Sequence, residues 1–322
     1  MREMNAQFGP DLSVIIVNWN TRELLLNCIE SFYRTVNGLS SEIFVVDNGS
    51  SDGSADSVRR TFPEIELIKN ERNLGFARAN NQALRKRKGR YALLLNTDVI
   101  LTPGAVETLV EFMDCNPTVG IAGGQLVNGD GSKQNSFDNF PSITAEAFNK
   151  SLLRILFPRR YPSKRVNYSA PVEVQSVIGA CMIVRSRAIE EVGLLDEDYF
   201  FFLEETDWCY RMRQGKWRVC HVPHAKVVHF QGRTADLVKD RAKIEYYRSL
   251  YLFFKKHRGI GASVLLRGFL FSRFCTDFVL TLLSCLFTAF RSKRFNRKLG
   301  IYAKLIHWHV RLCPAGIGLG ER

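Results

Sequence analysis

No two of the eight cysteines in this 322-residue chain form a CxxC pair, and they build no dense framework. Cys28, Cys115, Cys181, Cys209, Cys220, Cys275, Cys285 and Cys313 are scattered and mostly flanked by apolar residues. That pattern excludes a disulfide scaffold and reads as reduced core residues of a cytosolic protein. The GxGxxG fingerprint is missing, which argues against a dinucleotide site, and so is the Walker lysine motif of phosphate-loop NTPases. Neither an internal repeat nor a low-complexity tract occurs. The first dozen residues lack the apolar run of a signal peptide, so secretion is not expected. Long hydrophobic runs are also scarce. The longest apolar stretch without charge, Phe278–Phe290, has 13 residues, against about 20 needed to cross a bilayer.

What is present is core material and an uneven charge. Hydrophobic residues make up 46% of the chain, with 23 Phe, enough for a large core. Residues 1–236 hold 28 basic and 28 acidic side chains, whereas residues 237–322 hold 17 and 4. The whole excess of +13 therefore sits in the last quarter. This asymmetry divides the chain into 1–236 and a basic region, 237–322, that suits an anionic partner.

The first 125 residues alternate strand and helix signals. "LSVIIVNW" (Leu12–Trp19) reads as a strand buried on both faces. Apolar residues at Leu24, Leu25, Cys28, Ile29 and Phe32 then form a helical stripe behind Asn20 and Thr21, either able to cap it. "EIFVVD" (Glu42–Asp47), "IELIKN", "YALLLNTD" (Tyr91–Asp98) and "VGIAGG" predict further strands. "FARANNQALRKR" and the segment from Pro103 to about Cys115 predict helices. Such alternation builds an α/β fold, a mostly parallel sheet flanked by helices, with ligands beyond the carboxyl ends of the strands. From about Gly129 to Val172 the pattern gives way to a loop-like, locally basic stretch with Arg154, Arg159, Arg160, Lys164 and Arg165. A second block of strands and helices runs on to about Thr234.

Two polar clusters stand at the expected strand ends. Asn96-Thr97-Asp98 delivers a carboxylate there, which either caps the turn before Pro103 or ligates a hard divalent cation such as Mg²⁺ or Mn²⁺. Asp47, with the following "NGSSDGS", is either an ordinary Asx/Ser turn or an acceptor for a base or sugar edge ahead of a phosphate-favouring helix N-terminus. In "FFFLEETDWCYR" (Phe200–Arg211) a helix starting near Glu204 sets Asp207 and Arg211 four residues apart, on one face. Its dipole favours the three acids of its first turn. From the residues alone this is an acid-capped helix.

"VIIVNWN", "VVDNGSSDGS", "NLGFARANNQAL" (Asn73–Leu84), "LLLNTDV", "GACMIV" (Gly179–Val184), "VGLLDEDYFFFLEETDWCYR" and "VPHAKVVHFQG" occur in the order seen in family-two glycosyltransferases of the GT-A fold. Over roughly residues 11–235 the chain resembles that family, most of all its rhamnosyltransferase-like members. The resemblance implies a nucleotide-sugar site holding Asn18, Asp47, Asn73, Gly75, Arg78, Asn80 and Asn96. It puts Asp98 on a metal that bridges the donor diphosphate, with His229 matching a histidine that completes the coordination in some relatives. Glu205 falls at the general base, with Glu204, Asp207 and Trp208 toward the acceptor. The chain departs from the family in two places: Thr97 stands where many relatives have Pro, and Glu205 where they commonly have Asp. Gln214-Gly-Lys-Trp217 replaces the Gln-x-x-Arg-Trp of processive synthases, so that activity is not expected.

The implied function is an inverting, metal-dependent transfer of a sugar to a lipid-linked or cell-envelope glycan acceptor. dTDP-L-rhamnose is the expected donor and a UDP-sugar the alternative. A sugar nucleotidyltransferase is disfavoured, because "NWNTRELL" stands where its Gly-rich basic loop belongs. A catalytically inactive, membrane-attached binding module is the rival outside enzymes. In residues 237–322 apolar stretches adjoin basic clusters such as "RSKRFNRK", so helices lying on an anionic membrane surface, at its cytoplasmic face, are expected; tilted or re-entrant insertion and a helical subdomain packed on the core with a solvated basic face are the alternatives. No nucleic-acid partner is expected: the aromatics sit in apolar stretches and no recognised module appears.

Overall fold

The computed structural model describes residues 9–147, 167–230, 239–314 and 317–319. They fall into two compact units, one within Met1–Phe140, Arg154–Phe200 and Glu204–Leu237, the other within Pro141–Leu153, Phe201–Leu203 and Val238–Arg322. The boundary expected at 236/237 and the basic residues Arg154, Arg159, Arg160, Lys164 and Arg165 lie outside the described residues.

The first unit is built on a nine-stranded sheet ordered β3-β2-β1-β4-β10-β6-β11-β5, with β8 pairing β11. The strands are β1 (Leu12–Asn18), β2 (Ser41–Asp47), β3 (Glu66–Lys69), β4 (Tyr91–Asn96), β5 (Val99–Leu101), β6 (Val119–Val127), β8 (Val172–Glu173), β10 (Cys181–Arg185) and β11 (Arg218–His229). A separate two-stranded ribbon joins β7 (Phe137–Asp138) to β9 (Ser176–Val177). Six strands run one way, while β10, β5 and β8 run against them. The sheet is mostly parallel, as expected, and its inner strands are apolar along their length because both faces are covered. Helices α1 (Arg22–Thr35), α2 (Ser54–Thr61), α3 (Phe76–Leu84), α4 (Ala105–Cys115), α6 (Ser186–Val192) and α7 (Glu204–Gln214) belong to the same unit.

Pairing register positions the site. Asn18 stands opposite Asp47 across β1 and β2, and Val17 opposite Asn96 across β1 and β4. The carboxyl ends of three strands therefore bring Asn18, Asp47 and Asn96 into one row. Strand four is shorter than expected, ending at Asn96, so Thr97 and Asp98 occupy a turn into β5. β5 was not anticipated. It has three residues and pairs only with β11, more than a hundred positions later, so no local pattern marks it. That pairing sets His229 opposite Val99, beside Asp98. The loop-like stretch also holds more order than expected, with β7 and, in the second unit, the short helix α5 (Ile143–Ala147).

Glycine is required at Gly75. Its φ is +88°, and an added Cβ would lie 2.6 Å from the Phe200 carbonyl oxygen, where a side chain meets both backbone strain and a collision. The Phe200 carbonyl already accepts the Phe76 amide at 2.7 Å, which pins the start of α3 to the segment before α7. Gly75→Ala is expected to cost roughly 2 kcal/mol or more in stability, read by chemical denaturation; an unchanged midpoint would contradict the contact.

The second unit contains α8 (Lys239–Arg258), α9 (Ile260–Phe287) and α10 (Lys293–Val310). Around Tyr251 its core stacks aromatic rings. Tyr251 lies parallel to Trp308 at 5.9 Å between ring centres, and its hydroxyl meets His309 Nε2 at 2.7 Å.

Candidate active site

At the strand ends, polar side chains hold one another in place. Asn18 Nδ2 donates to Asp47 Oδ1 at 3.1 Å and to Ser50 Oγ at 3.0 Å, and the Ser50 amide donates to Asp47 Oδ2 at 3.3 Å. Both Asn18 and Asp47 are fully buried. The Thr21 hydroxyl donates to Asn18 Oδ1 at 2.8 Å and contacts the Thr97 hydroxyl at 2.9 Å, rather than capping α1. The α1 N-terminus is served instead by Asp52 Oδ2, which accepts the Arg22 amide at 2.8 Å. Thr97, which replaces a common proline, thus supplies a hydroxyl that ties the Asn96–Asp98 turn to the Asn18–Asp47 pair.

The "NLGFARANN" residues divide by role. Asn73 Oδ1 accepts from Asn48 Nδ2 and from the Gly75 amide, both at 2.9 Å, so it staples its own loop. Asn80 is buried and donates to the Phe76 carbonyl at 2.9 Å, inside its helix. Arg78 is exposed, and its Nε pairs loosely with Glu197 at 3.8 Å.

The cation-type donors come together. His229 Nε2 lies 3.3 Å from Asp98 Oδ1, both residues being buried. Gln134 orients the ring. Its Nε2 donates to the His229 carbonyl and to Asn128 Oδ1, each at 2.6 Å, so its Oε1 is left to accept from His229 Nδ1 at 3.0 Å. The proton on Nδ1 turns the Nε2 lone pair toward the Asp98 carboxylate. Two acceptors facing each other in a buried place call for a proton or a cation between them. A carboxylate plus an imidazole suits a divalent ion whose other ligands are substrate phosphate oxygens. Among the described residues no group of three or more His, Cys, Asp or Glu gathers to hold a metal by itself.

The acids of α7 separate sharply. Asp207 has no exposed surface; it accepts from Arg211 Nε at 2.7 Å and from the Tyr199 hydroxyl at 3.4 Å. Trp208 is equally buried and donates to the Gly193 carbonyl at 2.8 Å. Asp207 and Trp208, expected toward the acceptor, are held by these bonds with no exposed surface. Glu204 is buried as well. Glu205 is half-buried, and desolvation pushes its carboxyl up to about 7, with Asp138 adding to the rise against the helix-start amides that lower it. An ideal Cβ on Gly179 would sit 3.5 Å from the Glu205 side chain, and the next residue, Ala180, accepts the Asn96 amide at 3.0 Å. One short segment, Gly179-Ala180, thus bridges the base candidate and the Asn96–Asp98 turn. Immediately before α7, Phe202 and Leu203 hold φ of +69° and +65°, two consecutive non-glycine residues in the left-handed region. Gln134 and Asp138 were not anticipated, because they lie in the stretch without periodicity.

The strand ends of a mostly parallel α/β sheet thus carry a carboxylate–imidazole pair, with a raised carboxyl at the start of the nearby helix α7. The chain belongs to glycosyl transferase family 2, whose sequence model matches residues 13–193, more than half of it. It is 27% identical over 236 residues to the N-acetylglucosaminyl-diphospho-decaprenol L-rhamnosyltransferase of Mycobacterium tuberculosis, covering 67% of this chain and 76% of that one. It is 25% identical over 252 residues to the low-salt glycan biosynthesis hexosyltransferase Agl10 of Haloferax volcanii, covering 76% and 73%. In structure it is similar to the mannosyltransferase PcManGT from Pyrobaculum calidifontis, solved with GDP-Man and Mn²⁺, with a TM-score of 0.53, 16% identity, and 94% and 87% of the two chains covered. It is similar to GalNAc-T7, solved with UDP, GalNAc and Mn²⁺, with the same score and identity, covering 68% of this chain and 44% of that one. These two likenesses carry the fold.

Proposed function

We propose that the protein transfers L-rhamnose from dTDP-L-rhamnose to a lipid-linked glycan acceptor, with inversion, at the cytoplasmic face of a membrane. The observation that carries the transfer chemistry is Glu205: a half-buried carboxyl at a helix start, raised to about 7, linked through Gly179-Ala180 to the Asp98 turn. A general base serves best with a pKa near the working pH. The acceptor oxygen bonds to the anomeric carbon as the bond from that carbon to the diphosphate oxygen breaks. The hydroxyl proton passes to Glu205, and the electron pair leaves with the nucleotide diphosphate. Asp98 and His229 are the residues that would hold Mg²⁺ or Mn²⁺. When bound, such an ion neutralises the negative charge that builds on the departing group. Gln134 keeps the His229 lone pair aimed at that position. Asn18 and Asp47, fully buried, shape the nucleotide side from beneath through their shared row with Asn96, and Arg78 offers its charge from α3. The sugar and the lipid-linked acceptor are taken from the mycobacterial rhamnosyltransferase that this chain resembles.

A donor panel tests this reading. Thermal shift with Mn²⁺ should rank dTDP-L-rhamnose above UDP- and GDP-sugars, since a ligand stabilises in proportion to its affinity and concentration. Transfer of label to a polyprenyl-diphosphate-linked sugar should follow the same order. A UDP-sugar ranking first in both assays would overturn the donor.

A further inference from the structure

Helix α9 is, among the described residues, the one helix long and apolar enough to cross a membrane. Its 28 residues span about 42 Å, more than the hydrocarbon thickness of a bilayer. Its two faces differ. Ser263, Leu266, Leu270, Phe274, Thr281 and Cys285 are buried against the rest of its own unit. Opposite them runs an exposed stripe through Leu265, Phe269, Val279, Leu283, Leu286 and Phe287, reaching 57%, 58% and 94% exposure at the last three. Leu265 and Phe269, Val279 and Leu283, and Leu283 and Phe287 are four apart and Leu283 and Leu286 three, so these residues share one helix face, and Arg273, at its edge, is the only exposed charge on α9.

Helix α10 follows after a five-residue link and is packed back onto α9, with Phe271 and Phe274 against the His309 ring at 5.8 and 5.3 Å. His309 is in turn bonded to Tyr251 of α8. The three helices are thus locked together. α10 and the link expose Arg291, Lys293, Arg294, Arg297, Lys298 and Lys304. If α9 stood across a bilayer, Arg273 at its midpoint and Lys304 on its antiparallel partner would be carried into hydrocarbon, an arrangement strongly disfavoured. Laid in the plane, α9 buries its apolar stripe among acyl chains, while Arg273 and the cations of the turn and of α10 stay at the headgroups.

We infer that the α9–α10 hairpin is an in-plane docking surface for an anionic lipid leaflet, not a membrane span. The occupant is set by the juxtaposition of the stripe with five cations between Arg291 and Lys298, each worth about five-fold in affinity beside anionic lipid. Its purpose rests on the proposed lipid-linked acceptor, but its test does not.

The full chain is floated with vesicles of phosphatidylcholine alone or mixed with phosphatidylglycerol. Binding should be at least ten-fold tighter to the mixed vesicles and should weaken with salt. Leu283→Glu with Leu286→Glu, at exposed positions, should abolish it; Arg294→Glu with Arg297→Glu should reduce it more than twenty-fold. Single Trp probes at Leu265, Val279 and Leu286 should be quenched alike by lipids brominated at one shallow depth. Deepest burial of the middle probe, resistance of binding to both double variants, or a vesicle-free dimer that the variants dissociate would each overturn the inference. The thermal shift by donor with Mn²⁺ is measured on the same variants. Normal vesicle binding without any donor shift sinks the transferase reading alone, and the reverse result sinks the docking surface alone.

Discussion

Glu205→Gln should lower sugar transfer by roughly 10²- to 10⁴-fold, the usual contribution of a positioned general base, while leaving the donor-induced thermal shift intact. Gln keeps the shape and removes the proton acceptor. In the wild type, kcat/KM should rise with pH through about 7 as the carboxyl ionises, and the residual activity of the variant should lack that limb. Stability should move the other way. The Glu205 carboxyl is raised from 4.5 in the folded chain, so between about 4.5 and 7 the folded state holds more protons than the unfolded one. Its contribution to stability is then lost as pH rises through that window. The variant should accordingly melt above the wild type at pH 8, with the difference vanishing below 4.5. Such a trade is expected where a site keeps a poorly solvated charge for its chemistry. Near-normal transfer by Glu205→Gln would remove Glu205 from the mechanism.

Asp98→Ala should abolish Mn²⁺ binding, followed by spin-resonance titration in the presence of nucleoside diphosphate, and lower transfer on the order of 10²- to 10³-fold. The argument is geometric. His229 Nε2 points its lone pair at Asp98 from 3.3 Å because Gln134 fixes the opposite nitrogen as a donor. Removing the carboxylate leaves one nitrogen ligand, too little for a hard cation that also relies on substrate oxygens. The turn itself should persist, since the Asp98 main-chain carbonyl still accepts the Phe230 amide at 2.9 Å. Undiminished Mn²⁺ binding by the variant would place the ion elsewhere.

Much of this site is legible from residue order. Strands end where apolar runs meet Asn18, Asp47 and Asn96, and helix α7 begins at Glu204 as its acid-rich first turn suggests. Asp207 and Arg211 pair at four residues' spacing because local helix geometry alone decides it. Asp207 and Trp208 nonetheless face inward, and spacing does not say which side of α7 meets the sheet. Gln134 and Asp138 come from a stretch without periodicity, so no pattern could assign them a place beside His229 and Glu205.

The sequence by itself determined the alternation of strands and helices, the family and the confinement of excess cations to the last quarter, because these depend on neighbours along the chain or on composition. Tertiary structure decided the rest. It created β5 from three residues through a pairing with β11, turned His229 onto Asp98 by that register, and raised Glu205 by enclosing it. It also showed one face of α9 open and the other packed. Each of these depends on contacts between distant segments, and removal from water is a property of the assembled fold, not of any one segment.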